Sequence, residues 1–156
     1  MSECKNLLSI KHEIRWFNTT LEKPKLRSYV NFKHEYKTEK YIHYNYTKLE
    51  RSLSAQFRAG ILPLRIETGR YRYEPLEERI CIFCDQNKIE SEQHFIFECS
   101  LYDPERLNLF CGNEIDKNNN VTYNDKIYFL FENHTRKIVL YIKNAFLKRK
   151  SILYKS

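Results

Sequence analysis

Four side chains able to bind a transition metal lie within residues 81–99, whose sequence reads Cys-x2-Cys-x9-His-x4-Cys. The three thiolates and one imidazole form a complete tetrahedral set for Zn²⁺, and they belong to Cys81, Cys84, His94 and Cys99. Because all four positions are protein ligands, no position is left for a catalytic water, and the pattern predicts a structural Zn²⁺ site. The alternative is four unrelated residues, but Cys-x2-Cys followed closely by His-x4-Cys favours the metal.

A second set of residues suited to ligand binding precedes the first cysteine of this pattern, in residues 58–79. Guanidinium groups fit phosphate oxygens, and tyrosine rings such as those of Tyr71 and Tyr73 can stack on unpaired bases. The arginines predicted to contact nucleic acid are Arg58, Arg65, Arg70, Arg72 and Arg79. The alternative is a solvated face on which these cations pair with the four glutamates of the same stretch.

The C-terminal residues form a third candidate surface. Residues 133–156 carry seven Lys/Arg and no Asp/Glu, residues 1–80 carry 16 against 10, and residues 81–132 carry 4 against 10. Both flanks are therefore basic, and a polyanion is expected to contact them by phosphate neutralisation. Lys148, Arg149 and Lys150 are the predicted phosphate contacts here. The alternative is that they complement a helix dipole or lie on a membrane surface.

The composition and the motifs of the chain limit which classes of function are expected. The chain has three glycines and no Gly-rich phosphate loop, nucleophile elbow or recognisable acid/base pair, so we expect a protein that is not an enzyme. No stretch of about 18 apolar residues predicts a membrane span. The first residues lack the apolar region of a signal peptide, which predicts an intracellular protein, nuclear or cytoplasmic. Cys4 and Cys111 have no partner at ligand spacing and are expected to be ordinary thiols.

The elements that must position these residues are predicted to be helices. Residues 6–21 place Leu7, Ile10, Ile14, Phe17 and Leu21 on one side at helical spacing, which predicts an amphipathic helix with Trp16 near its apolar side. A second helix is expected over residues 24–36, and a third over residues 47–59. The third begins with a Thr-x-x-Glu capping box and ends before Gly60.

The elements around and after the cysteines follow from caps and prolines. Residues 62–64 are expected to be extended and buried, and residues 65–79 to form an irregular polar arm. Ser91 is expected to cap a short helix with Cys99 at or past its end, because positions five apart on an α-helix differ by about 140°. Helices are further predicted over residues 103–110, from 124 onward and over 135–153, with an Asn-rich loop at 111–123. The fold class is mainly α, as a single domain of residues 1–156 with its zinc-binding module at about 58–110.

Residues 52–110 resemble the zinc-binding tail that follows the polymerase domain in many non-LTR retrotransposon reverse transcriptases. The features shared before the cysteines are an Arg-x-Gly, an extended link and an arm that contains Thr-Gly. The shared metal motif has a Cys-x2-Cys pair, a Glu-Thr/Ser pair, a His-Phe whose His lies three residues after the second member of that pair, and a last Cys. An Arg follows the motif. The matching residues are Arg58 and Gly60, 62–64, 68–71, Cys81 and Cys84, Glu90 and Ser91, His94 and Phe95, Cys99, and Arg106.

The resemblance implies a zinc-knuckle-like module that helps an element's polymerase engage its RNA or its target DNA. The chain departs from the family in having Ser91 where Thr is usual, and in lacking polymerase, endonuclease and RNase H motifs, so polymerase activity is not carried over. We therefore expect a zinc-binding module that contacts RNA or DNA, with a reverse transcriptase or another protein as a possible partner. The alternative is a zinc-stabilised helical protein-interaction module with no nucleic-acid role.

Overall fold

The computed structural model describes residues 2–23, 26, 28–33, 35–112 and 121–154. In this part of the chain the fold is mainly helical, as predicted, and one isolated antiparallel bridge joins Ile80 to Ile89. The α-helices are α1 Ser2–Leu21, α2 Lys48–Arg58, α3 Arg65–Tyr71, α4 Asp103–Phe110, α5 Tyr123–Asn133 and α6 Thr135–Leu153. Short 3-10 turns cover Tyr29–Asn31, Lys40–His43, Leu76–Glu78 and Ser100–Tyr102, and a π-helical turn covers His94–Glu98.

Helix α6 is the element against which α2, α4 and α5 pack. Its apolar positions recur every three or four residues, so they share one face of the helix. As predicted, that face is buried, and it consists of Ile138, Val139, Ile142, Ala145 and Phe146. The core therefore forms around a single long helix whose last turns reach the cysteine-containing segment.

Helix α2 has the predicted ends. The Thr47 hydroxyl accepts a hydrogen bond from the Glu50 amide at 3.3 Å, and the Glu50 carboxylate accepts one from the Thr47 amide at 2.8 Å. Gly60 has φ +67°, the left-handed conformation that ends many helices and that glycine adopts without strain. Glu50 also pairs with Lys143 at 2.9 Å, so the residue that caps α2 ties it to α6.

Helix α1 forms as predicted, but its apolar face does not point inward. Leu7 is 67% exposed and Leu21 is 58% exposed, and the apolar residues between them at helical spacing are also at least half exposed. The side of α1 that meets the rest of the protein is the one with Trp16, whose ring contacts Tyr29 and Tyr36. Apolar periodicity therefore identifies a face of α1 but does not decide whether the fold buries it.

Two other local predictions are corrected or left open by the described residues. Within 24–36 the described helical content is of the 3-10 type, at residue 26 and in the turn Tyr29–Asn31. The Phe32 ring that follows is buried, with its centroid 6.0 Å from that of Phe57 and 5.3 Å from that of Phe131. The predicted longer helix is therefore wrong in this part. Residues 113–120 of the predicted Asn-rich loop lie outside the described residues.

The predicted irregular arm begins with a helix, α3. The carboxylate of Glu90 accepts a hydrogen bond from the Arg65 amide at 2.7 Å, which satisfies a free donor at the start of the helix. This cap comes from a residue 25 positions further along the chain, so no local sequence signal indicates it. Leu62 and Leu64 are fully buried, as predicted, but the link before α3 is bent rather than extended, because the Leu64 amide donates to the Leu62 carbonyl at 2.6 Å.

Candidate metal centre

Cys81 and Cys84 lie on a narrow loop, residues 79–90, which we call the cysteine loop and which is closed by backbone hydrogen bonds. The amide of Cys81 donates to the Lys88 carbonyl at 2.9 Å, and the amide of Glu90 donates to the Arg79 carbonyl at 2.9 Å. Asn87 turns the chain with φ +51°, a left-handed conformation that asparagine tolerates better than most residues. The loop therefore holds both sulfurs on one side.

The π-helical turn His94–Glu98, which we call the histidine turn, brings His94 and Cys99 together. The Ser91 hydroxyl accepts a hydrogen bond from the His94 amide at 3.2 Å, which confirms the predicted cap. The Cys99 amide donates to the His94 carbonyl at 2.8 Å, the five-residue hydrogen bond that defines a π-turn. Cys99 itself is extended, with φ −63° and ψ 122°, so it lies past the helix end as predicted. The π form of the turn was not predicted.

The four side chains converge. One ligand atom from each of Cys81, Cys84, His94 and Cys99 lies within 4.8 Å of all the others. The sulfurs of Cys81 and Cys99 are 3.8 Å apart, and Cys84 Sγ is 3.3 Å from His94 Nε2. Bonds of about 2.3 Å at tetrahedral angles place two sulfurs about 3.8 Å apart, and the corresponding sulfur-to-nitrogen distance is about 3.6 Å. A disulfide needs about 2.0 Å. The cluster could therefore hold a metal ion.

The site is enclosed on most sides. His94 is 1% exposed, Cys81 and Cys99 are buried, and Cys84 is half-buried. Phe95 is fully buried in the core cluster, and Phe83 and Phe97 pack against that cluster from partly buried positions. These rings form an apolar shell around the ligands. Such a shell limits the access of water to the ligands and to an ion held by them.

The histidine ring is oriented by a second group of side chains. Its Nε2 faces Cys84, while Nδ1 lies 3.5 Å from the Glu98 carboxylate, an ion-pair distance longer than a good hydrogen bond. Lys88 and Gln93 hold this carboxylate at 2.9 Å each. A carboxylate behind the non-ligating nitrogen is the usual arrangement around a metal-bound histidine, because it selects the tautomer that leaves Nε2 free.

Hydrogen bonds to sulfur prepare the site for negative charge. The Cys99 thiol shares its proton with the Cys81 sulfur, which lowers the pKa of Cys81 to about 4 and raises the pKa of Cys99. The backbone at Phe83 and at Leu101 also favours the thiolate and so acts to lower the pKa of Cys81 and of Cys99 respectively. A bound cation would take the place of the shared proton, since metal-bound cysteine is a thiolate.

Two long-range contacts fix the turn that carries His94 and Cys99. Arg106 on α4 donates to the carbonyl of Ile96 at 2.9 Å and to that of Cys99 at 2.7 Å. The Tyr141 hydroxyl on α6 donates to the carbonyl of Phe95 at 2.5 Å. These donors satisfy carbonyls that the irregular turn leaves without helical partners. Tyr141 was not predicted to support the site, since nothing local in the sequence marks it.

Arg149 lies next to the metal centre rather than on the surface. Its side chain is 6% exposed and pairs with the Glu90 carboxylate, whose side chain is 1% exposed. The guanidinium also lies 4.6 Å from the centre of the Phe83 ring. The prediction that Arg149 contacts nucleic acid is corrected, because its donors are used in a buried ion pair between α6 and the cysteine loop.

Arg58 is likewise buried. Its guanidinium pairs with Glu39 at 2.5 Å and lies 5.0–5.5 Å from the rings of Phe32, Tyr41 and Phe131. A phosphate in solvent could not reach it without opening this cluster. The prediction that Arg58 contacts nucleic acid is therefore also corrected, and its role is to neutralise Glu39 within an aromatic environment.

Three further predicted arginines are engaged within the arm itself. Arg65 pairs with Glu74 at 2.9 Å, and Arg70 pairs with the buried carboxylate of Glu67 at 2.6 Å. Arg79 donates through Nη2 to the Glu74 carbonyl at 2.7 Å. The alternative considered from the sequence, in which cations of the arm pair with its own glutamates, describes the contacts of Arg65 and Arg70.

The remaining predicted contacts are more accessible. Arg72 has a side chain that is 70% exposed, with Glu74 at 3.9 Å, and Lys150 is exposed beside the Phe146 ring. Lys148 is half-buried and pairs with Glu105 at 3.1 Å. Of the eight predicted nucleic-acid contacts, Arg72 and Lys150 therefore project most freely into solvent.

Comparisons with protein-family models, curated proteins and solved structures find no match to this chain. What the site can do is therefore inferred from its own residues, and the resemblance to reverse-transcriptase tails stays a hypothesis. Among the described residues, none of the helices combines the length and apolar character needed to cross a membrane.

Proposed function

We propose that the chain binds one Zn²⁺ through Cys81, Cys84, His94 and Cys99, and that the ion is structural. The observation that carries this proposal is the convergence of four ligand atoms within 4.8 Å, three of them on buried residues. Three sulfurs and an imidazole are a ligand set typical of zinc, while Mg²⁺ and Ca²⁺ prefer oxygen. Four protein ligands leave no open position for a reacting water.

The ion would join two segments that are both anchored to α6, one of which is also anchored to α4. The cysteine loop reaches α6 through Arg149, and the histidine turn reaches α4 and α6 through Arg106 and Tyr141. Ligation of both the loop and the turn by one ion would therefore hold α4 and α6 in their relative positions. In small modules such ligation contributes on the order of 10 kcal/mol to folding.

The proposed role of this zinc-stabilised fold is that of an accessory module binding the phosphate backbone of RNA or DNA inside the cell, as in the tail of a retroelement reverse transcriptase. The exposed end of the arm supports this role. Tyr71 is 64% exposed, Tyr73 is 95% exposed, and Arg72 lies between them in sequence with its side chain largely in solvent. Two accessible rings and a cation suit contact with an unpaired strand.

A second candidate function is a zinc-stabilised protein-interaction module. The specific observation in its favour is the exposed apolar face of α1. Its residues recur at spacings of three and four, and they are Leu7, Ile10, Ile14, Phe17 and Leu21. This is the spacing of a helix that pairs with another helix.

Metal content tests the first proposal. The purified protein is expected to contain one zinc per chain by elemental analysis. Cys84→Ser is expected to lose the metal and to lower the melting temperature, because three remaining ligands hold Zn²⁺ less tightly. Cys111→Ser is the matched control, since Cys111 is exposed and lies outside the cluster. Metal-free wild-type protein with an unchanged melting temperature would contradict the structural role.

A salt-titrated binding assay tests the nucleic-acid role and separates it from the protein-interaction role. Affinity for a single strand is expected to fall steeply as salt rises, because phosphate neutralisation releases counterions. Arg72→Glu is expected to weaken binding, while Lys126→Glu, an equal charge change on α5 in the acidic middle of the chain, is the control. Absence of binding at low salt would favour the alternative function.

A further inference from the structure

A groove runs between α1 and the segment that includes the turn Tyr29–Asn31. It has a volume of about 440 Å³, within the range of ligand-binding sites. Arg15, Lys23 and His12 contribute to its walls from α1 and the residues that follow it. In the described part of the chain no carboxylate lines this groove. The groove is therefore a concave surface of positive character on a chain whose middle is acidic.

Aromatic rings form the other part of the lining. The Trp16 ring lies 5.8 Å from the Tyr36 ring at an angle of 46° and meets the Tyr29 ring edge-on at 6.3 Å. Tyr36 is 52% exposed and Trp16 is half-buried, so both rings present surface to a ligand.

The acids near these rings lie outside the lining of the groove. Glu39 lines the adjoining groove, and its carboxylate pairs with Lys33 at 2.8 Å and with Arg58 at 2.5 Å. Glu13 on α1 and Glu22 just after it do not line the groove. Arg15 and Lys23 are both exposed, so a polyanion can reach them without unfolding any element.

We propose that this groove, which we call the α1 groove, binds single-stranded RNA or DNA. An unpaired base would lie against Trp16 and Tyr36, while Arg15 and Lys23 neutralise the adjacent phosphates. This inference rests on the proposed nucleic-acid function and places a contact surface at the opposite end of the chain from the predicted C-terminal one. An acidic peptide would use the cations but would leave the ring faces without a stacking partner.

The test uses intrinsic fluorescence, because Trp16 is the only tryptophan in the chain. The full-length protein is titrated with oligothymidylate and oligouridylate of about 12 nucleotides, a length within the usual site size of single-strand-binding surfaces. Stacking of a base on Trp16 is expected to quench its emission in proportion to occupancy. Trp16→Leu and Arg15→Gln are each expected to weaken binding at least about fivefold, as measured by anisotropy of a labelled strand.

The controls separate failure of the α1 groove from failure of the nucleic-acid role. Lys126→Gln removes a cation from α5, in the acidic middle of the chain and outside the groove, and is expected to bind nearly as well as the wild type. Arg15→Gln keeps the test valid if Trp16→Leu does not fold. Anisotropy could show that the strand binds without quenching Trp16 and binds Arg15→Gln as well as the wild type. That result would overturn the α1 groove as the binding site and leave the proposed nucleic-acid function intact.

Two further outcomes would also count against the inference. Absence of binding by anisotropy at low salt would overturn both the nucleic-acid function and the α1 groove. Equal quenching by an acidic peptide of the same charge would show that the groove recognises negative charge alone and not an unpaired strand.

Discussion

Replacing Arg149 tests whether this residue is a structural anchor or a nucleic-acid contact. In Arg149→Met the side chain keeps much of its apolar length but loses all guanidinium donors. The Glu90 carboxylate, whose side chain is 1% exposed, would then be left without its counter-ion while still accepting the Arg65 amide. The substitution also removes the guanidinium from the face of the Phe83 ring, which lies 4.6 Å away.

The expected magnitude follows from burial. Removing one partner of a buried ion pair costs about 3–5 kcal/mol, because the remaining charge is left in a poorly solvated site. For a chain of this size such a loss corresponds to a fall in melting temperature on the order of 10 °C. Lys150→Met is the matched control, because Lys150 is exposed and its replacement is expected to change the free energy of unfolding by less than about 0.5 kcal/mol.

The assay is denaturant unfolding of the zinc-loaded protein, combined with strand binding at fixed salt. The double variant Glu90→Gln with Arg149→Met is expected to recover a large part of the loss, since it leaves no buried charge at this pair. The cap of α3 is kept in that variant, because the substituted amide oxygen at position 90 can still accept the Arg65 amide. If Arg149→Met kept wild-type stability but lost affinity for the strand, the anchor interpretation would be refuted.

Two other predictions concern α2 and α3. Glu50→Gln keeps the cap to Thr47 but loses the ion pair with Lys143. The Lys143 and Thr47 contacts lower the pKa of Glu50 to about 2. The stabilisation from the Glu50 carboxylate is therefore present above about pH 4.5 and is lost as the pH falls toward 2. The variant should be less stable by roughly 1–2 kcal/mol at neutral pH and equal to the wild type near pH 2, as measured by urea unfolding. Gly69→Ala should destabilise the protein by about 1–2 kcal/mol in thermal unfolding, because the new Cβ would lie 2.6 Å from Arg79 Cγ; a stabilised variant would contradict the contact.

The residues that carry the resemblance to reverse-transcriptase tails have structural roles in this protein. Gly60 ends α2 in a left-handed conformation, and Gly69 gives room for the stem of Arg79. The others support the metal centre: Glu90 caps α3 and neutralises Arg149, Ser91 caps the turn of His94, and Arg106 binds the carbonyls of that turn. In this chain the pattern therefore positions the four clustered side chains, and it supports the proposed zinc module more directly than it supports strand binding.

The sequence determined the features that depend on neighbouring residues. The capping box at Thr47, the helix over residues 135–153 with its buried face, and the convergence of Cys81 with His94 all follow from short spacings. Each of these signals acts over at most about 20 positions, so the chain alone contains the information needed to predict it.

Only the tertiary structure determined which charged and apolar groups face solvent. In the sequence Arg58 and Arg149 have no evident partner, and the fold brings Glu39 and Glu90 beside them from 19 and 59 positions away. Periodicity alone identifies an apolar stripe on α1, yet that stripe is exposed in the described part of the chain, and α3 forms where Glu90 caps it. The physical reason is the same in each case. Burial and pairing depend on which residue the fold places opposite a given side chain, and neither periodicity nor composition identifies that residue.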